Sequence, residues 1–236
     1  RGLVDSYKIT KDPVFLDKAL LINSSLSKTM IDNNIIRHTS SSPAEVLFFE
    51  DYSYYIDALI GLYEITFDEK YLKFADELTV FSNEKFKEES GFYRFSTNQE
   101  SLFADTLINL QDGVTPSANS VMNFNLFRLG HFNGNKEYLL HSKTMINNVS
   151  ETIKDRVTDH LLWLNNSHNY SQKFYEIAIS GNNAIGKAEE VMEEYLPNAL
   201  VAASKSESEL YLLKDRYFKD ETYIYVCVDN TCKFPV

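Results

Sequence analysis

We expect one helix to end, the chain to turn and a second helix to begin within the segment Tyr63-Glu-Ile-Thr-Phe-Asp68-Glu-Lys-Tyr71-Leu72-Lys-Phe-Ala75. The same pattern recurs in residues 7–19 and 129–142. In the other two copies the position of Asp68 is held by Asp12 and Asn135. Such residues cap helix N-termini, because their side chains accept a backbone N–H bond. The three copies predict three antiparallel helix pairs with unequal insertions between them.

Composition and apolar spacing also favour long helices over short strands. The chain has only 8 Gly and 5 Pro, while 14% of its residues are aromatic. In a helix expected over about residues 48–67, apolar side chains recur at steps of three and four, namely at Phe48, Tyr52, Tyr55, Ile56, Leu59, Leu62 and Tyr63. A short strand is expected at residues 91–97. Residues 1–170 therefore predict a mainly α domain built from helical hairpins.

The last quarter of the chain has a different pattern. Residues 175–180 and 198–204 are short apolar strands on either side of a helix expected at 183–195. This order implies parallel pairing with a right-handed crossover. Residues 222–228 add a third strand, followed by a turn at Asp229-Asn230. We predict that residues 171–236 form a small α/β unit, with the boundary in the polar run 165–169.

Charge and hydropathy exclude several classes of function. The chain has 23 Lys and Arg against 34 Asp and Glu, a net charge of −11, whereas nucleic-acid binding depends on clustered basic side chains. No apolar stretch approaches the ~20 residues that span a membrane, and no segment is typical of a signal peptide. We therefore expect neither nucleic acid nor membrane as a partner, and a cytoplasmic location. Because the chain begins at Arg1 rather than Met, we expect a fragment of a longer protein.

The few cysteines and histidines indicate no metal or cofactor. Two cysteines cannot form a disulfide framework, and Cys227 and Cys232 are expected either to pack across two strands or to form a disulfide. The five histidines have no spacing typical of a metal site. Only His38, in the loop before residue 50, lies near a candidate functional residue.

The first candidate site is Glu50-Asp51-Tyr52, at the start of the helix predicted to run to about Phe67. Carboxylates are stabilised near a helix N-terminus, and paired carboxylates are the acid, base and nucleophile of glycoside chemistry. One face of the same helix carries Glu50, Ser53, Asp57, Gly61 and Glu64. The alternative is a capping acid followed by a solvated stripe.

The second candidate site is the segment Asp112-Gly-Val-Thr115-Pro116-Ser117-Ala-Asn119-Ser120. We expect Thr115 to be an N-cap and Pro116 the first helical residue, so that free N–H groups near Ser117 bind an anion or a sugar hydroxyl. The alternative is a well-capped helix start without a ligand. Both candidate sites precede the first helix of a repeated pair, so we expect Asp51 and Asp112 to lie on one rim of the array.

Four motifs resemble, in order, the C-terminal region of the thioredoxin-domain-containing proteins related to spermatogenesis-associated protein 20 and bacterial YyaL. They are Phe49-Glu-Asp-Tyr-Ser-Tyr-Tyr-Ile-Asp57-Ala-Leu, Asp112-Gly-Val-Thr-Pro-Ser-Ala-Asn-Ser120, Tyr195-Leu-Pro-Asn-Ala199 and Tyr225-Val-Cys-Val-Asp-Asn-Thr-Cys-Lys-Phe-Pro235. The resemblance implies an N-terminal thioredoxin-like domain, absent here, and part of an (α/α)6 toroid similar to N-acylglucosamine 2-epimerase and six-hairpin glycosidases. The chain departs from the family at Ala118, where Gly is usual.

Two hypotheses for function follow from the motifs and the resemblance. The first is a carbohydrate-acting domain, epimerase-like or glycosidase-like, with Asp51 and Asp112 as acid–base residues. The resemblance implies that the residues lining the central bowl of the toroid are Glu50, Asp51, Tyr52, Asp57, Asp112, Ser117, Asn119 and Ser120. In the first hypothesis this bowl binds a small sugar-like ligand, with Tyr52, Ser117 and Asn119 as hydroxyl binders. The second is a non-catalytic module that binds a ligand or supports the thioredoxin-like domain. In either case we expect the missing N-terminal part of the protein, or self-association, to cover the exposed apolar side of the hairpins.

Overall fold

The structure, a computed structural model, describes residues 1–42, 45–97, 107–228, 231–233 and 235–236. In these ranges the chain forms eight α-helices, which are α1 Gly2–Thr10, α2 Pro13–Thr29, α3 Phe49–Thr66, α4 Lys70–Phe86, α5 Ala118–Asn133, α6 Lys136–Asp155, α7 Leu161–Ser171 and α8 Ala184–Val191. Helices α1, α3, α5 and α7 pack side by side in one row, and α2, α4 and α6 pack behind their partners α1, α3 and α5. The predicted mainly α class and the three helical hairpins are confirmed.

The same turn joins the two helices of each hairpin. The first helix ends on a residue with positive φ, which is 55° at Lys11, 54° at Phe67 and 63° at Gly134. This left-handed conformation closes a helix C-terminus. The next residue in each turn accepts a hydrogen bond from a backbone N–H of the second helix; these residues are Asp12, Asp68 and Asn135, as predicted.

Close packing explains why more than half of the residues of α3 are buried. The rings of Phe49 and Tyr93 stack with centroids 4.4 Å apart, and Tyr52 contacts Phe86 at 5.3 Å. Aromatic rings supply most of the buried area in such contacts. Their positions on α3 fix this helix between α4 and the segment that contains Tyr93, so the start of α3 is held rigidly.

The segment 91–97 is not a strand, so that prediction is wrong. Its backbone makes only isolated bridges between Lys87 and Tyr93 and between Phe48 and Ser96. The reason is a side chain: Oδ1 of Asn119 accepts a hydrogen bond from Tyr93 N (2.8 Å), and Nδ2 donates to Tyr93 O (2.9 Å). At Tyr93 an amide side chain therefore replaces a neighbouring strand as the partner of the backbone, while Arg94, Phe95 and Thr97 bond to backbone in three separate segments.

The C-terminal strands form a sheet as predicted. A separate short hairpin, whose two strands β1 Ile31–Asp32 and β2 Ile35–Ile36 have two residues each, precedes them in the chain. The C-terminal sheet contains β3 Tyr175–Gly181, β4 Ala199–Ser204, β5 Thr222–Val228 and β6 Thr231–Cys232. The order is β4-β3-β5-β6, with β3 and β4 parallel and the other pairs antiparallel. The predicted turn at Asp229-Asn230 lies outside the described residues.

The sheet packs against the helical hairpins. The ring of Phe174 contacts the rings of Phe127 (4.7 Å) and His131 (4.9 Å), and Nδ1 of His131 lies 2.7 Å from Oε1 of the buried Glu176. The polar run 165–169 lies within α7. A division of the chain into domains 1–170 and 171–236 stays a prediction.

Candidate functional site

The first turn of α3 pairs Asp51 with His38. The Nδ1 atom of His38 lies 3.0 Å from Oδ2 and 3.2 Å from Oδ1 of Asp51. Burial raises the pKa of the Asp51 carboxyl above its ordinary value, although the bond to His38 opposes this shift. The imidazole also packs against the ring of Phe48, with centroids 4.8 Å apart. A carboxylate and an imidazole in contact can share and transfer a proton.

Tyr52 is wholly buried and holds the β1–β2 hairpin. Its hydroxyl donates to Asn34 O (3.1 Å) and accepts from Ile36 N (3.0 Å). Burial raises the pKa of this hydroxyl to about 12. These bonds fix the segment that leads to His38, so Tyr52 positions the histidine.

The start of α5 differs from the prediction. The N-cap is Ser117 rather than Thr115, and the helix begins at Ala118. The reason is Asp112, whose Oδ1 accepts from Ser117 N (2.9 Å) and from Ser120 Oγ (2.6 Å). Oδ2 of Asp112 accepts from Leu162 N (2.8 Å), in the first turn of α7. One carboxylate thus organises the starts of two helices, which the sequence could not show.

Asn119 joins three segments of backbone. Besides its two bonds to Tyr93, its Nδ2 donates to Asn109 O (3.0 Å). The small polar residues at the start of α5, which predicted a ligand site, therefore bind irregular backbone around the helix. Buried polar groups need such partners.

A cavity of about 220 Å³ lies between the starts of α3 and α5. Among the residues that the structure describes, those lining this cavity include Glu50, Tyr54, Phe95, Ser117 and Asn119. The structure thus brings together three of the predicted site residues, while neither Asp51 nor Asp112 is among the described lining residues. The hydroxyl of Tyr54 donates to Pro116 O (2.5 Å) and joins the two rims of the cavity.

Glu50 is the charged group among the described residues that line this cavity. Its half-buried carboxylate has no hydrogen-bond or ion-pair partner within the described ranges, whereas Ser117 and Asn119 are fully engaged. It belongs to the first turn of α3, where the helix dipole stabilises a negative charge.

Asp57 lies further along α3, in a network of charges that includes Glu64. Arg128 on α5 donates from Nη2 to Asp57 Oδ1 (2.5 Å) and from Nη1 to Glu64 Oε1 (3.1 Å). Burial disfavours ionisation of Glu64, but Lys8, Arg1 and Arg128 outweigh it and hold its pKa well below its ordinary value. The signal that the sequence analysis missed is Arg128 itself, the only Lys or Arg in α5.

A second cavity, of about 520 Å³, lies at the far end of α3. Its lining includes Lys11, Glu64, Phe124, Arg128 and Phe174, together with residues between α8 and β4. Glu50 and Glu64 are 14 residues apart on one face of α3, roughly 21 Å along the helix axis. The two cavities therefore lie at opposite ends of the row of inner helices.

No protein-family model matches this chain. Spermatogenesis-associated protein 20 of Homo sapiens is 26% identical over 204 residues, which are 80% of this chain and 26% of that protein. This chain is homologous to spermatogenesis-associated protein 20. An uncharacterised protein of Caenorhabditis elegans is 29% identical over 162 residues, 64% of this chain and 22% of that protein. The chain spans about a quarter of the length of the curated relatives it matches.

A solved structure confirms the α/α toroid architecture. An alpha-1,6-mannanase of Salegentibacter superposes with a TM-score of 0.51 at 18% identity, covering 62% of this chain and 43% of the mannanase. That protein is an inactive variant with two aspartates replaced by alanine, in complex with alpha-1,6-mannotetrose. The likeness shows that the hairpins of this chain are arranged as part of an α/α toroid. Within the described ranges, no helix has the length and hydropathy of a membrane span.

Proposed function

We propose that this chain forms part of a carbohydrate-acting toroid, with a sugar bound in the cavity between the starts of α3 and α5. The observation that supports this most is the carboxylate of Glu50, which has no partner among the described residues and lines a cavity walled by Tyr54 and Phe95. Sugars present apolar C–H faces and hydroxyl groups, and aromatic rings with a few polar groups bind both. The volume of about 220 Å³ is below the ~300–1,000 Å³ usual for drug-sized ligands, so it suits a single sugar ring.

Proton transfer in this proposal belongs to Glu50 and Asp51. Glu50 contacts the ligand, and Asp51, whose pKa is raised by burial, exchanges its proton with His38. Carboxylates with different environments can act as acid and base in one reaction. The mannanase in the comparison is inactive when two consecutive aspartates are replaced by alanine, which supports consecutive acidic residues as the candidates here. Asp112 serves as a positioning residue, because two helix starts occupy its oxygens.

The alternative function is a non-catalytic sugar-binding module. The observation that favours it is that Tyr52, Ser117 and Asn119 all use their polar groups in the fold, which leaves Glu50 with few polar partners to assemble a reaction centre. Both functions require Glu50 to contact the sugar.

The test measures binding and turnover of mannooligosaccharides and N-acetylhexosamines, by calorimetry and product analysis. We expect Glu50→Gln to weaken binding about tenfold, the loss of a charge-assisted hydrogen bond. Glu77→Gln is the matched control, since Glu77 is exposed on α4 and should change nothing. Turnover that Asp51→Asn abolishes with binding intact supports the enzyme, and binding without turnover supports the module. Equal binding by the wild type and Glu50→Gln contradicts both.

A further inference from the structure

The C-terminal hairpin β5–β6 carries a disulfide beside a cation. Cys227 and Cys232 face each other in the register of the two strands and are bonded through their sulfur atoms. The guanidinium of Arg216 contacts both sulfurs, with Nη1 3.5 Å from Sγ of Cys227 and Nη2 3.1 Å from Sγ of Cys232. Its Cζ also lies 5.0 Å from the ring centroid of Tyr225, which holds the guanidinium over the strand.

The surroundings of this disulfide differ from those of a buried structural bridge. Cys227 is 1% exposed, but Cys232 is only half-buried, so an incoming thiolate can reach one of the two sulfurs. Among the described residues, no carboxylate forms an ion pair with Arg216, and its positive charge is therefore directed at the sulfurs. A neighbouring cation stabilises a thiolate and makes a thiol a better leaving group.

We propose that Cys227 and Cys232 are a redox-active pair that undergoes thiol–disulfide exchange with a dithiol reductant. A thiolate of the reductant attacks Sγ of Cys232, the S–S bond breaks, and its electron pair passes to Cys227, whose thiolate forms beside Arg216. The second thiolate of the reductant then attacks its own sulfur in the mixed disulfide and releases Cys232. Two electrons and two protons pass to the cysteines, and the reductant becomes a disulfide.

The sheet tolerates this exchange because other bonds hold the hairpin. Lys233 N donates to Val226 O (3.1 Å), and Ile224 and Val236 exchange two backbone hydrogen bonds of 2.8 and 3.1 Å. Reduction therefore frees the two thiols without removing the C-terminal segment from β5. The reduced protein keeps Arg216 close to both sulfurs.

The test compares the complete 236-residue chain with Arg216→Met, Arg216→Lys and the control Lys219→Met, which removes an exposed charge that does not contact the sulfurs. Reduction by dithiothreitol is followed by alkylation and mass measurement, and the pH profile of iodoacetamide alkylation is recorded on the reduced chain. Circular dichroism verifies folding of each variant.

We expect Arg216→Met to slow reduction about tenfold and to move the alkylation midpoint up by about one pH unit, toward the ~8.5 of a free thiol. Arg216→Lys should retain part of the wild-type rate, since it keeps the charge, and Lys219→Met should match the wild type. If Arg216→Met is folded and reacts like the wild type in both measurements, the disulfide is structural and the proposal is wrong.

Discussion

The guanidinium of Arg128 lies 2.5 Å from the carboxylate of Asp57 and joins α5 to α3. Its side chain is only 4% exposed, and it also binds Glu64 at 3.1 Å and packs on the ring of Phe124 at 4.4 Å. Removing one partner of a buried ion pair leaves an uncompensated charge, which costs more than the pair itself contributes. Asp57 and Glu64, which one alternative in the sequence analysis placed in a solvated stripe, are therefore part of an interhelical network.

Replacement of Arg128 should strongly destabilise the chain. We expect Arg128→Met to lower the free energy of unfolding by about 3 kcal/mol, because two half-buried carboxylates lose their shared cation. Urea unfolding followed by the fluorescence of Trp163, the single tryptophan and wholly buried, measures this change. Lys154→Met is the control: its ion pair with Glu151 is exposed and should be worth less than about 0.5 kcal/mol. A loss for Arg128→Met no larger than for the control would contradict the network.

The same network predicts a pH dependence. The pKa of Glu64 is lowered in the folded chain by Lys8, Arg1 and Arg128, against the effect of burial. A lowered pKa means that the unfolded state takes up the proton first, so the stability contributed by Glu64 is complete above its ordinary pKa of 4.5 and is lost as the pH falls below it. The stability difference between wild type and Glu64→Gln should therefore shrink between pH 5 and pH 3.

Urea unfolding at several pH values in that window measures the difference. Glu77→Gln, an exposed glutamate on α4, is the matched control and should differ from the wild type by a small amount that does not change with pH. A wild-type advantage over Glu64→Gln that is constant from pH 7 to pH 3 would mean that folding does not lower the pKa of Glu64, so the network would not stabilise its charge.

We expect the main role of Asp112 to be in the stability of the fold and not in catalysis. Its carboxylate accepts bonds from Ser117 N, Ser120 Oγ and Leu162 N, so Asp112→Ala removes the acceptors at two helix starts. We expect a loss of about 2 kcal/mol in the free energy of unfolding. Asp155→Ala, at the exposed end of α6, should cost less than about 0.5 kcal/mol. A stable Asp112→Ala that has lost all sugar turnover would instead make Asp112 a catalytic residue.

The structure shows which features the sequence could predict. The turns at Asp12, Asp68 and Asn135 were predictable because each depends on a side chain bonding to backbone two or three residues away. The start of α5 was not, because Asp112 accepts hydrogen bonds from Ser117 N, five positions away, and also from Leu162 N, fifty positions away in the chain. Long-range hydrogen bonds leave no local pattern.

The candidate site follows the same rule. Helical spacing correctly gave Glu50, Asp57 and Glu64 a common face of α3, but the partners on that face come from α1 and α5. Likewise, the side chain of Asn119 bonds to the backbone N and O of Tyr93, and residues 91–97 are irregular instead of forming the predicted strand. Spacing predicts which side chains share a face, and only packing decides which of them remain free to meet a ligand.

The outer side of the first hairpin carries unusually exposed apolar side chains. Ile9 is 84% exposed, Leu21 70% and Ile22 51%. Helix α1 packs on α3 along one side, as α3 packs on α5, and within the described residues no further helix repeats this contact on the other side of α1. A neighbouring hairpin of a toroid would cover such a surface, and this chain matches only about a quarter of the length of the curated relatives.

Without a covering hairpin, the isolated 236-residue chain should self-associate through α1 and α2, because exposed apolar side chains favour contact with another surface. We expect the double variant Leu21→Glu with Ile22→Lys, which adds no net charge, to shift the chain from dimer or larger species to monomer in sedimentation velocity. Leu140→Glu is the control: Leu140 is 66% exposed on α6, so its replacement removes a side chain about as exposed as Leu21 from another face. The association should persist in this variant. A monomeric wild type at about 100 μM, or equal loss of association in both variants, would show that the first hairpin is not an interaction surface.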